Sequence, residues 1–384
     1  MSGWRRVWLW LRVGVIALGV VYLAWRGWVH AGAILGVQPV GIDFMPMWEA
    51  GRESLTHPDR IYNFTGLTRL QRPMLEHFHG PRPFVYPPTA LVLFAPFGLA
   101  PFAFANLLWT LLGLAAAVWA TWGELGAPRA LALVAMALTP ASVLVLVTGQ
   151  VTFFIAALAV VGVVSLKDRP YLAGALLGLA GAIKPQAMVL APVALLAVGA
   201  WRSIAAAAAA AIAMAALATF AFGPHLWLEW LAALPRFDHW VMASPAFRKG
   251  MITPTALGMT LGLGREALGA WRLAFALGAA AMVWFVFRRT GDPARRLVAL
   301  LGGSLFVTPY AMHYDAALLA PAAAMIVTER TGPVSWPLAL GCCALLCCAA
   351  IPHWGAAAVT AFVVLVALAP ERFGARGRAG AYAA

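Results

Sequence analysis

The sequence predicts an all-α polytopic membrane protein, and three observations carry that expectation. Apolar residues make up 63% of the 384-residue chain and charged ones only 11%, a balance outside that of water-soluble domains. Apolar runs of about 17–22 residues recur along the chain, each able to cross a bilayer as a helix. Basic residues punctuate these runs singly or in pairs. The net charge of +13 therefore follows the positive-inside pattern and not the continuous basic track of a nucleic-acid groove.

The first run, residues 7–25, is followed by no small-residue cleavage signature and reads as a retained span. Eleven further spans are predicted at 101–122, 129–147, 150–166, 170–184, 186–200, 203–222, 268–288, 295–310, 313–329, 335–350 and 353–369. Twelve spans put both termini in the cytoplasm. Every connection then expected inside is basic: Arg129, Lys167 with Arg169, Arg202, Arg288 with Arg289, Arg295 with Arg296, and Arg330. Arg5 and Arg6 at the start, and Arg372, Arg376 and Arg378 in the tail, agree. Several of the seventeen tryptophans sit at segment ends, where an amphipathic ring favours the interface.

Residues 86–98 and 252–264 are apolar but too short to span, and are expected to be re-entrant or interfacial. The alanine run at 205–211 is weakly hydrophobic, so its helix is expected to be enclosed by neighbours. Two long outer loops remain, 27–85 and 223–251. The first contains "FMPMWEAGRESL", where Phe44, Met47, Trp48 and Leu55 suit an amphipathic helix lying on the bilayer. No internal repeat or appended soluble domain is visible, so residues 1–384 read as one integral-membrane domain. Cys342, Cys343, Cys347 and Cys348 could gather a soft metal at helical spacing, but read better as small packing residues within a span.

Under this topology the outward ends of several spans carry polar groups: Asp43, Arg82, Tyr86, Gln150, Lys184, His313 and Asp315. Ionisable groups at membrane depth are costly and usually functional. An acid, a histidine and cations together could bind an anionic headgroup and move a proton. Plainer readings compete. Asp43 could cap the helix that follows, with Pro46 in its first turn. Lys184 could snorkel to the interface. Gln150, beside Gly149, could satisfy backbone groups in a turn, and His313 could be a packed interfacial residue. Glu49, Glu53, His77 and His79 share the first outer loop without a ranking, and Glu229 and Asp238 read as solvated acids or acceptor contacts.

The ordered series "IDFMPMWEAGRESL…IYNF", "FVYPPTALVLFAPF", "TGQVTFF", "GALLGLAGAIKPQ" and "TPYAMHYDAALLAP" resembles glycosyltransferase family 87, over about residues 40–330. That family belongs to the GT-C superfamily, and its members include a mannosyltransferase using polyprenol-phosphate mannose. The resemblance implies a GT-C-like bundle whose long first extracytoplasmic loop contains interfacial helices. It matches Asp43 to the family's acid in that loop, taken as the catalytic base. It matches Gln150, Lys184 and His313 to polar positions around the donor phosphate and sugar, with His313 counted beside Asp43 as catalytic. Arg82 is carried over to the donor site, and Tyr86 and Asp315 match motif positions there. The 223–251 loop and the last two spans have no matching counterpart.

The chemistry that the resemblance implies is consistent with these residue types. A polyprenyl phosphate is a good leaving group and needs mainly cationic balance. The acceptor hydroxyl needs a carboxylate to take its proton, and the sugar passes through an oxocarbenium-like state. One acid and a cationic pocket suffice for an inverting displacement. No metal is required, and no Asp-x-Asp cluster appears. Arg52, Arg60, Arg69, Arg72 and Arg82 in the first outer loop fit a phosphate-binding face. The expectation is a hexosyltransferase of a bacterial inner membrane, with an extracytoplasmic site, a polyprenyl-phosphate-sugar donor and a lipid or glycan acceptor. The alternative is a lipid or glycan transporter or flippase, a class that tends to hold its ionisable groups nearer the bilayer midplane.

Overall fold

A computed structural model describes residues 3–36, 38–75, 81–328, 336–351 and 354–368. His77, His79, Arg330 and the tail arginines lie outside the described residues. Among those described there is no β-strand; helices α1 to α20 form the chain, and one antiparallel bridge joins Met251 to Met312.

The first half runs α1 (Gly3–Leu35), α2 (Phe44–Glu53), α3 (Phe64–Gln71), α4 (Pro88–Gly98), α5 (Phe102–Trp122), α6 (Arg129–Leu138), α7 (Pro140–Thr148), α8 (Thr152–Ser165), α9 (Pro170–Ile183) and α10 (Ala191–Ala197). The second runs α11 (Trp201–Phe222), α12 (His225–Ala243), α13 (Pro245–Gly250), α14 (Pro254–Thr260), α15 (Arg265–Arg289), α16 (Pro293–Leu297), α17 (Gly303–Val307), α18 (Ala320–Thr328), α19 (Trp336–Cys347) and α20 (Gly355–Leu368). A π-helical turn, Val298–Gly302, joins α16 to α17, and a 3₁₀ stretch, His313–Leu319, leads into α18.

Each predicted span coincides with helical structure, yet the count of twelve is not reproduced by length. Three described helices, α5, α11 and α15, are long and apolar enough to cross a membrane alone. The α6–α7 pair, bent by 64°, would make a fourth. Local chemistry explains the breaks. Pro140 follows Thr139, whose hydroxyl accepts the Ser142 amide and starts a new helix inside the predicted 129–147 span. Pro185 ends α9 after Lys184, so 186–200 is a 3₁₀ turn followed by the short α10. Helices α8 and α9 have 14 residues each, roughly 21 Å against a hydrocarbon core of about 30 Å.

Two expectations are overturned. The first concerns α2, which does not lie on the bilayer surface: all of its residues except Arg52 are buried. Glycines permit this. A Cβ on Gly51 would collide with the Phe94 carbonyl of α4, and one on Gly98 would collide with the Arg52 amide. The two backbones touch only because both side chains are missing. The second concerns α11, with the alanine run. Only Ser203, Ala218 and Phe222 are buried along it. It packs on α9 along one stripe, where Gly174 and Gly178 meet the backbones of Ser203 and Ala207, and it also touches α4 and α10, while Ile212, Leu217 and Phe220 stay exposed.

These packings give the bundle two chemically distinct ends. Helices α8 and α9 are antiparallel, with Gly162 against Leu177. Helices α9 and α11 are parallel, so Arg169 and Arg202 share an end. Gly126, near Arg129, abuts the carbonyl of Thr328 at the end of α18. Gln150, Lys184 and the 308–315 turn occupy the opposite ends of the same helices. Near the chain's end, Cys343 Sγ lies 3.6 Å from the Ala323 carbonyl. Among the described residues no three His, Cys, Asp or Glu side chains gather as a metal site.

Candidate active site

The candidate site draws on six chain segments: residues 41–43, 82–86, α5, 149–150, Lys184 and 312–315. Residues 41–43 are stitched to the end of α7 by main-chain bonds: the Gly41 amide donates to the Val147 carbonyl at 2.8 Å and the Asp43 amide to Thr148 at 2.9 Å. Gly41 and Gly149 have φ of +73° and +76°, left-handed conformations that glycine adopts without strain. Asn106 of α5 fills the space beside both: a Cβ on Gly41 would fall 2.5 Å from its Oδ1, and one on Gly149 2.9 Å from it. Trp109 Nε1 donates to the Gly149 carbonyl at 2.9 Å.

Asp43 occupies the N-cap position of α2, but its side chain makes no capping bond. It faces Arg82, whose Nη1 donates to Asp43 Oδ1 at 3.3 Å. The plainer capping reading of Asp43 therefore fails. Arg82 is placed by α3: Thr68 Oγ1 accepts the Arg82 amide at 2.7 Å and Gln71 Nε2 donates to the Arg82 carbonyl at 2.9 Å. Of the five first-loop arginines, Arg82 is the one with a recorded bond to a predicted site residue. Arg60 pairs with Glu53 at 3.4 Å, Arg52 lies over the Trp48 ring, and Arg69 and Arg72 are exposed.

The second ion pair joins Lys184 Nζ to Asp315 Oδ1, both side chains buried. Asp315 Oδ2 accepts the Met312 amide at 2.9 Å, which fixes the carboxylate against its own turn. Lys184 is thus no snorkelling side chain; it points inward to a partner 131 positions away. Its ammonium also stands 5.9 Å from the centre of the Tyr314 ring.

Tyrosines link the two pairs. Tyr86 donates its hydroxyl to Gln150 Oε1 at 3.3 Å, so Gln150 does more than complete a turn. Burial pushes the Tyr86 hydroxyl well above its ordinary pKa, and the nearby carboxylates of Asp315 and Asp43 add to that rise. Burial lowers Arg82, opposed by Asp43 and the Tyr314 hydroxyl. Members of both ion pairs therefore act electrostatically on one tyrosine.

His313 is half-buried. Its ring centroid is 6.2 Å from that of Tyr314, and its imidazole packs against Gly250 at the end of α13. The Ile252 amide donates to the Ala311 carbonyl at 2.9 Å, holding this edge closed. Of the other acids, Glu53 is tied to Arg60 and lies 3.8 Å from His57. Glu229 on α12 is raised by burial, lowered by His225 and raised by Asp59.

A family model for glycosyltransferase family 87 matches residues 84–312, more than half of the chain. The chain belongs to glycosyltransferase family 87. The matched stretch holds Tyr86, Gln150 and Lys184, while Asp43, Arg82, His313 and Asp315 flank it. A comparison with curated proteins found no match, and a comparison with solved structures found none either. Family membership makes the chain a membrane glycosyltransferase acting on a sugar donor and an acceptor. Two residues beside the candidate site of this family-87 chain were not singled out from the sequence. Tyr314 carried a signal, standing between His313 and Asp315; Asn106 carried none beyond being a polar residue inside an apolar helix.

Proposed function

We propose that the protein transfers a hexose, mannose being the expected one, from a polyprenyl-phosphate donor to a lipid or glycan acceptor, with inversion at the anomeric carbon. The membrane is a bacterial inner membrane. The basic ends of the helices lie in the cytoplasm with both termini, and the pocket opens on the other side. The observation that carries the reading is the Asp43 carboxylate, which forgoes its helix cap and enters a pocket with Arg82 that electrostatically adjoins the Lys184–Asp315 pair.

In this reaction Asp43 accepts the proton of the acceptor hydroxyl as its oxygen attacks the anomeric carbon. The bond from that carbon to the donor phosphate breaks, and the phosphate leaves with the bonding electrons. Lys184 and Arg82 stabilise it. Both are already ion-paired, yet an ammonium carries three donors and a guanidinium five, so each keeps donors for phosphate oxygens. The pairing with Asp315 and Asp43 holds the resting pocket near neutrality until the anionic donor enters. Tyr86, Gln150 and Asp315 contact donor phosphate or sugar, and His313 serves acid–base work at the acceptor rim. No metal takes part in these steps.

The test is Asp43→Asn in membranes supplied with polyprenyl-phosphate sugar. Transfer falls by about 10²–10⁴-fold because the carboxamide keeps shape but loses basicity, while donor binding persists. Unchanged turnover would remove Asp43 from the mechanism. A lipid extract from a deletion strain, compared with wild type by mass spectrometry, lacks a hexose increment and so identifies the acceptor.

A further inference from the structure

Helix α12 borders the pocket on one side and has an uncovered apolar surface on the other. It leaves α11 at Gly223, whose φ of +98° permits a sharp reversal. Trp227 Nε1 then donates to Thr219 Oγ1 at 2.8 Å, which folds the first turn of α12 back beside the last turn of α11. Helix α11 is long and apolar enough to span a membrane, and protein covers little of it; Phe220, near its end, is 90% exposed. Such a surface belongs in hydrocarbon. The outward residues of α12 continue it: Leu228 is 73% exposed, and Leu231, Ala232 and Pro235 share that face, followed by Arg236 and His239.

The opposite face of α12 holds the pocket's walls. Trp230 Nε1 donates to the Val85 carbonyl at 3.1 Å, one residue before Tyr86. Phe237 packs on Tyr310 at 5.4 Å between ring centroids and on Phe64 at 6.5 Å. Beyond α13, Gly250 abuts His313 and Met251 pairs with Met312.

We propose that α12 is an interfacial lid: the Leu228–Leu231 face is sunk among the acyl chains of bilayer phospholipid, and the inner face closes the pocket over Tyr86 and His313. His239, later on the same outward face, stands where the headgroup layer would meet it, whereas the Arg236 guanidinium lies 5.3 Å over the Phe64 ring. The lipid facing follows from the continuity with α11 and holds whether or not the sugar-transfer reading does.

The experiment uses the full chain with all four native cysteines changed to alanine, reconstituted in phosphatidylcholine–phosphatidylglycerol nanodiscs. Leu228→Cys and Leu231→Cys are spin-labelled in turn, with Phe220→Cys as the hydrocarbon reference. Both sites are expected to collide more with oxygen than with a water-soluble nickel chelate, as Phe220→Cys does. More collision with nickel would place the face in water, and collision with neither would mean a protein partner covers it; either result overturns the proposal. The lid half is read by hydrogen exchange. In Leu228→Asp with Leu231→Asp, the amides of 84–86 and 311–313 exchange roughly tenfold faster, and unchanged rates overturn it.

Discussion

Arg82 Nη1 stands 3.3 Å from Asp43 Oδ1, the two side chains 12% and 21% exposed, and this bond joins the polar stretch before α4 to the start of α2. The arginine pairs with the carboxylate, and in the proposed reaction it also stabilises the departing phosphate. Arg82→Lys keeps the charge but not the fork. Its kcat is expected to fall by about tenfold, and Arg82→Gln more, measured as initial rates of sugar transfer in membranes at saturating donor.

Lys184 and Asp315 form a buried pair whose members are expected to fail separately and fold together. Lys184→Met leaves a carboxylate uncompensated and destabilises by about 3–5 kcal/mol. Lys184→Met combined with Asp315→Leu regains most of that loss in thermal unfolding. Transfer is expected to stay absent in the double variant, which separates the proposed donor-binding role from the structural one.

The contact of α2 with α4 depends on two missing side chains. Gly51→Ala forces a methyl group into the Phe94 carbonyl, and Gly98→Ala forces one into the Arg52 amide. Each is expected to cost about 1–3 kcal/mol, seen as a lower melting temperature in detergent.

Glu49 is buried in α2, and burial raises its carboxyl pKa; Arg52 partly opposes this and Glu53 adds to it. The folded state therefore favours the protonated acid. The stability from this group is present below the ordinary carboxyl pKa and is lost as pH rises through the raised value. Glu49→Gln is expected to melt higher than wild type at neutral pH, with the advantage disappearing as the pH falls toward 4.5, the ordinary value. Equal melting temperatures at neutral pH would sink this prediction.

The sequence displayed the ingredients of the site better than its joints. Asp43, Gln150 and Lys184 were visible because a polar group at the end of an apolar run has few reasons to be there. Their partners were not, since Lys184 and Asp315 are 131 positions apart and linear order carries no distance. The burial of α2 escaped notice because its cause is what Gly51 and Gly98 lack, while the hydrophobic stripe of Phe44, Met47 and Trp48 fits lipid or protein equally well. The alanine run misled for a related reason: weak hydrophobicity suggested enclosure, but small side chains on one stripe were enough to seat α11 on α9. The span count of twelve goes unconfirmed where Pro140 and Pro185 break segments that hydropathy alone joins.

The amide of residue 43, and not its carboxyl, ties this corner of the chain to α7. Exchange of Asp43 for any residue but proline, which has no amide hydrogen, consequently leaves that main-chain tether in place. The bond to Arg82 goes with the carboxylate, so Asp43→Asn, whose amide oxygen can still accept from the guanidinium, separates loss of proton chemistry from displacement of Arg82.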